Sequence, residues 1–165
     1  ISIWRLSAGL WQRASPIASK KAVLVDPRAI RIRLKDMEGR LLAIRQIQSE
    51  GKAKFLTDKI LQAAAERNLQ LAIQGAIDIA LHIVAEDSSM APKDYVSSFG
   101  LLTEVGLLEE SVAAKLASAA RLRNILVHAY LEVDQDKMWQ NLDHLADLEE
   151  FAISVDRYLG NPSEQ

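Results

Sequence analysis

The stretch Arg121-Leu-Arg-Asn-Ile-Leu-Val-His-Ala-Tyr130 gathers a guanidinium, a carboxamide, an imidazole and a phenol. The rest of that run reads as a core helix. Arginine offers a planar, permanently charged fork that fits a phosphate. Near neutrality one form of histidine takes a proton from a ribose 2′-hydroxyl, and the other returns one to the leaving oxygen. Asparagine can hydrogen-bond a phosphoryl oxygen. Arg123, Asn124 and His128 are thus the parts of a metal-free ribonuclease, in which the 2′-hydroxyl attacks its own phosphate. The sequence offers no metal cluster, no Gly-rich phosphate loop and no Ser-His-Asp set that would compete with this chemistry. Nothing in it asks for a cofactor.

Spacing leaves two readings open. Arg123 and Tyr130 are seven positions apart and share a helix face. His128 lies about 140° from Arg123 on an ideal helix, so a bend or helix end near His128 is needed to bring imidazole and guanidinium together. The same residues also suit a purely structural role. Arg123 could pair with Glu132, Asp134 or Asp136. His128 could sit at a helix C-terminus, where the dipole favours its charge. Tyr130 could be an amphipathic core residue. His144, among Asp143, Asp147 and Glu149, reads as part of a solvated face.

The elements that must position these groups are helical. Gly and Pro are scarce and nearly half of the 165 residues are apolar, so one all-α domain is expected. There is no cysteine. That removes disulfides, thiolate metal sites and a cysteine nucleophile, and fits the cytoplasm. The net charge of −2 is uneven. Residues 1–25 carry four basic residues and no acid, leaving 16 basic and 22 acidic residues, a net of −6, for the remainder. Phosphate binding must then come from a local patch. Near the motif only Lys115, Arg121 and Arg123 supply one.

Residues 1–25 read as a poorly structured extension: a tag remnant, a misassigned start or a frayed tail, loosely like a transit peptide in composition. The helical domain is expected over 26–160, with 161–165 a tail. Asp26 and Pro27 suit an N-cap and first helical position. A helix runs from there to about Ser49 through Ile30, Leu34, Met37, Leu41, Ile44 and Ile47, with a break at Gly51. A second helix is expected from Lys52 to Glu86. Its latter half is apolar almost all round, so it is the centre of a bundle or is shared with a second subunit. Gln70, Gln74, Asp78 and His82 interrupt it too often for a membrane span. A loop, a short helix capped by Asp94 and ended by Gly106, a helix from Glu109 to His128 or Tyr130, and a last helix opened by Asp136 complete four or five helices. Glu66, Gln70, Gln74, Asp78, His82 and Glu86 recur every four residues as one polar stripe. It serves as a wetted face, a groove or a subunit contact. A metal site from Asp78, His82 and Glu86 is geometrically allowed, but nothing nearby in sequence completes it.

Residues 123–130 are similar to the Arg-x4-His-x-Tyr motif of the HepT-like toxins, members of the HEPN superfamily. Glu66-Arg67-Asn68-Leu69-Gln70 with Ala76-Ile77-Asp78-Ile79-Ala80 resembles that family's long second helix, and Asp94-Tyr95 through Leu107-Leu108 its loop and short helix. The resemblance implies a HEPN-type bundle and a homodimeric RNA endonuclease toxin of a type VII-like toxin–antitoxin pair. In such proteins two motifs meet across the dimer in one cleft. A small nucleotidyltransferase antitoxin transfers AMP to the motif tyrosine. Carried over, Arg123 and His128 would be catalytic, Asn124 supporting and Tyr130 the modification site. Gln74 stands where the family more often has an acid. Two copies would also supply a separate base and acid. The competing reading is a non-catalytic helical module that binds a nucleotidyltransferase or a nucleotide.

Overall fold

A computed structural model describes residues 26–87, 92–128 and 133–160, with the side chains of Glu86 and Asp87 outside that description. The expected extension over 1–25 and tail over 161–165 lie outside the described residues. What is described is all-α, with five helices of ten residues or more and two shorter ones.

Helix α1 (Pro27–Ser49) starts as its sequence directs. Pro27 occupies the first turn and the Asp26 carboxylate accepts from the Arg28 N–H at 3.0 Å. Ile30, Met37, Leu41, Ile44 and Ile47 form its buried stripe. Gly51, at φ 87°, ends this helical stretch in a conformation that favours glycine.

The expected single helix from Lys52 is instead two, α2 (Lys52–Thr57) and α3 (Lys59–Asp87). Asp58 is extended between them, and its carboxylate accepts from Ile60 N–H at 2.9 Å and Leu61 N–H at 3.2 Å. An aspartate that bonds forward in this way competes with the helical ladder. Buried Gln62 completes the joint. Its Nε2 donates to the carbonyls of Phe55 (2.9 Å) and Leu56 (3.0 Å), which the end of α2 leaves unpaired.

Helix α3 is the core. From Asn68 to Val84 every residue is buried or half-buried. By length and composition Lys59–Ala85 would pass for a membrane span, yet half of its most apolar window is buried inside this bundle. Helix α1 packs along it, and Gly75 of α3 passes under Met37. Helices α4 (Tyr95–Glu104) and α5 (Glu110–His128) form a hairpin against it. Asp94 caps α4 in a reciprocal box with Ser97. Gly106 turns the chain at φ 75°.

The expected last helix is also divided. It becomes α6 (Gln135–Asn141), a 3-10 turn at Leu142–His144, and α7 (Leu145–Tyr158), and the cap is Asp134 rather than Asp136. The two parts have different obligations. Trp139 packs at a tilt against Phe55 of α2 with ring centroids 5.1 Å apart, and Asp136 pairs with Lys52 at 2.7 Å. Helix α7 instead buries Leu145, Leu148, Phe151, Ala152 and Val155, with Phe151 edge-on to Phe99 at 5.9 Å. The Leu142 carbonyl at the junction accepts from Gln48 Nε2 at 3.2 Å.

Gln62→Leu keeps the volume and removes both donors at the α2–α3 joint. The expected cost is about 1–3 kcal/mol for the buried carbonyls left unpaired, read as a lower urea midpoint with an unchanged m-value.

Candidate active site

The first half of α5 is anchored by buried Val112, Ala113, Leu116 and Ala120. Its second half emerges from the core. Between Arg121 and His128 no residue is fully buried, although four of the eight are Leu, Ile or Val. Arg121, Asn124, Ile125 and His128 are exposed, at spacings of three, four and seven that make one face. Leu122, Arg123, Leu126 and Val127 are half-buried behind it. Ile125 is 64% exposed, in the middle of the face that carries the imidazole. An exposed large apolar residue next to charged groups is a mark of a contact surface when it is part of a wider patch.

The Arg123 guanidinium donates through Nη1 to Asn124 Oδ1 at 3.3 Å. Its Nε is enclosed in protein, with no hydrogen-bond partner among the described residues. The pair is thus held at the edge between the exposed and half-buried faces. Helix α5 is continuous to His128. Among the described residues no hydrogen bond joins His128 to Arg123. Within one chain the structure brings Arg123 and Asn124 together, keeps Asn124 on the face of His128, and leaves the half-buried Arg123 behind that face. Tyr130 and Glu132 lie outside the described residues.

The two described acids suggested as partners of Arg123 are engaged elsewhere. Asp136 holds Lys52. Asp134 caps α6 through the Lys137 N–H at 3.1 Å and stands 3.6 Å from the Lys137 ammonium. The basic patch is smaller than its sequence implies, because Lys115 pairs with Asp147 at 3.1 Å. His144, 3.6 Å from the same Asp147, lies on the solvated face. The polar stripe of α3 is half-buried from Glu66 to His82. Gln74 Nε2 donates to Asp78 Oδ1 at 2.7 Å, and Gln135 Nε2 to Glu66 Oε1 at 2.8 Å. Among the described residues no three His, Asp or Glu side chains gather as a metal site would require.

The Gln135–Glu66 bond belongs to a clasp that residue patterns do not reveal. With Lys52–Asp136 and Phe55–Trp139 it ties the chain leaving the motif to α2 and α3. Its one signal in the sequence is Asp134, placed as an N-cap.

Comparison with known proteins settles the family. The family described as ribonuclease HepT-like matches residues 37–155. The chain belongs to the HepT-like ribonuclease family. By that membership it is an endoribonuclease. An mRNA nuclease HepT of Shewanella oneidensis is 34% identical over 109 residues, covering 66% of this chain and 81% of the relative. A tRNA nuclease HepT of Aphanizomenon flos-aquae is 30% identical over 116 residues, covering 70% and 78%. A solved structure of a tri-AMPylated Shewanella oneidensis HEPN toxin in complex with MNT antitoxin superposes with a TM-score of 0.71 at 29% identity, covering 78% of this HepT-like chain and 96% of that one.

Two caps flank the motif hairpin of this HepT-like chain. Hydrogen bonds from the Ser97 backbone and side chain, with a smaller contribution from nearby Arg121, hold the Asp94 carboxyl below its ordinary value. Hydrogen bonding from the Lys137 backbone, then the Lys137 charge, does the same for Asp134. A depressed carboxyl stabilises the fold above its unfolded pKa, and that contribution is lost as pH falls through the folded one. Below about pH 4, Asp94→Ala and Asp134→Ala should each flatten the dependence of the urea midpoint on pH relative to the parent chain.

Proposed function

We propose that this chain is the toxin of a toxin–antitoxin pair and cuts RNA without a metal, at a composite site completed by a second copy of itself. The carrying observation is the separation of Arg123 from His128 around α5. Arg123 and Asn124 are joined at 3.3 Å, while His128 stands on the exposed face beside a 64% exposed Ile125. A two-fold pairing over this face would set two guanidinium–carboxamide pairs and two imidazoles around one crevice.

In that crevice Arg123 grips the scissile phosphate as a charged fork. One neutral His128 takes the 2′-hydroxyl proton as the ribose oxygen bonds to phosphorus. The phosphorus–O5′ bond breaks, and the protonated His128 of the other copy gives its proton to O5′. The products are a 2′,3′-cyclic phosphate and a free 5′-hydroxyl. Asn124 orients the guanidinium and can donate to a phosphoryl oxygen. This chemistry belongs in the cytoplasm, where RNA is exposed.

The Shewanella relative, described as tri-AMPylated and in complex with an MNT antitoxin, supports a restraint of the same kind here. A nucleotidyltransferase would transfer AMP to Tyr130, seven positions from Arg123. The added phosphate anion would then occupy the guanidinium that RNA needs.

His128→Ala should lower RNA cleavage at least 100-fold, the lower end of general acid–base contributions, with an unchanged circular dichroism spectrum. Cleavage by the parent chain should persist in EDTA and leave cyclic phosphate ends. Wild-type rates in His128→Ala, or a strict Mg²⁺ requirement, would remove imidazole from the mechanism. Tyr130→Phe should abolish the mass increase produced by co-expression with the nucleotidyltransferase.

Pairing has its own test. Ile125→Asp should shift the sedimentation coefficient toward the monomer and depress cleavage in step. A dimer that survives this change with full activity would place the contact elsewhere.

A further inference from the structure

The face of α5 that carries His128 also carries a cation that the cutting chemistry does not use. Arg121 is exposed seven positions before His128, on the same side of the helix and about 10 Å away along its axis. Arg123, the proposed grip on the scissile phosphate, projects about 200° away from Arg121. The two guanidinium groups of one chain therefore serve different positions.

An aromatic ring stands at the same end of the fold. Helices α4 and α5 pack side by side as a hairpin, which sets the start of α4 beside the motif half of α5. Asp94, the cap of α4, lies near enough for the Arg121 charge to help depress its carboxyl. That carboxylate is already committed to the Ser97 N–H at 2.7 Å. Tyr95 follows it directly and is 53% exposed. A cation for the phosphate and an aromatic ring for the base are the two parts with which proteins hold single-stranded nucleic acid. Away from His128 the seam between the helices opens into a groove lined by small residues, among them Gly100, Ala113, Ala114 and Ala117. It ends at Glu110, and Glu104 and Glu109 are also exposed around that turn. Acids there repel further phosphates, so the track from the cutting groups is short.

We propose that Arg121 and Tyr95 form a single-nucleotide subsite beside the cutting groups, where the guanidinium binds the phosphate next to the scissile one and the phenol ring stacks on a base. The inference rests on the composite-site reading above and uses none of its cutting residues. Every base has a face to stack, so the subsite supplies affinity and register rather than sequence choice. It selects unpaired RNA, because a base inside a duplex has no free face to offer. The combination favours RNA over an acidic peptide, which would engage the cation alone.

The test uses the full chain carrying His128→Ala and a short fluorescein-labelled single-stranded RNA, with anisotropy read across a salt series. Arg121→Gln should weaken binding about tenfold, the scale of one hydrogen-bonded charge. It should also flatten the slope of log affinity against log salt by about 0.7, as loss of one phosphate contact on a single strand requires. Tyr95→Leu should weaken binding about tenfold through lost stacking and leave the slope alone, and Tyr95→Phe should restore it. Oligonucleotides with one phosphate replaced by an uncharged methylphosphonate locate the contact. At one position the parent should lose affinity and Arg121→Gln should not. With His128 restored, Arg121→Gln should raise KM for RNA and spare kcat. Parent-like RNA affinity in either Arg121→Gln or Tyr95→Leu would overturn the subsite. So would a loss confined to co-purification with the nucleotidyltransferase, which would give the surface to a protein partner. Binding is read without cleavage. An inactive parent chain would therefore sink the composite-site reading and still leave the anisotropy to decide the subsite.

Discussion

The fold depends on one constraint, the burial of α3. Seventeen consecutive residues, Asn68 to Val84, contain no exposed position. A helix apolar on this many sides must be covered from several directions. Helix α1 takes one flank, the α4–α5 hairpin another, and α7 closes against α1, α3 and α5. Those neighbours are largely used up by the task. Helix α5 spends Val112, Ala113, Leu116 and Ala120 on the core within its first three turns. Its remaining turns, from Arg121 to His128, are free to present chemistry. The motif is therefore a helix extension carried by a rigid base, which suits groups that must be held in place.

The same base explains how the chain leaves the motif. Residue 133 resumes beside α3, and the three contacts of α6 fasten it within a few residues: Gln135 to Glu66, Asp136 to Lys52, Trp139 to Phe55. A tilted aromatic contact, an ion pair and a hydrogen bond act on one seven-residue helix. Helix α6 is too short to be stable alone, so these contacts and the Asp134 cap are what define it. The break before α7 has the same origin, because one straight helix could not meet both α2 and the core.

Much of this is legible in residue order, and the exceptions share a cause. The stripe of α1, the Asp26 and Asp94 caps, the Gly51 and Gly106 breaks and the span of α5 come from periodicity and local chemistry. The breaks at Asp58 and Leu142 do not. Each is decided by a partner distant in sequence or by a side chain answering the backbone: Gln62 and Asp58 at one, Gln48 at the other. The proposed site is read from its residue types, and its geometry comes only from the fold. Spacing sets Arg123 and His128 about 140° apart, and only the structure shows that α5 stays helical through His128. Lys115 counts as a free cation in the sequence, whereas the fold sets Asp147 beside it.

Separation of the guanidinium from the imidazole is a natural way to make activity conditional. A helix that carried both groups on one face would hold a complete site in every single chain. Here the Arg123–Asn124 pair sits at the edge of a half-buried surface, and His128 faces outward with Ile125. In the proposed pairing, the apolar contact that covers Ile125 also brings one copy's imidazole toward the other's guanidinium. Association energy and catalytic alignment then come from the same few residues. The proposed control acts there as well. A phosphate attached seven residues after Arg123 is anionic, and on a continuing helix that position returns to the arginine's face. One guanidinium would bind substrate in the free toxin and the modifying group in the restrained one, so each excludes the other by charge and by space.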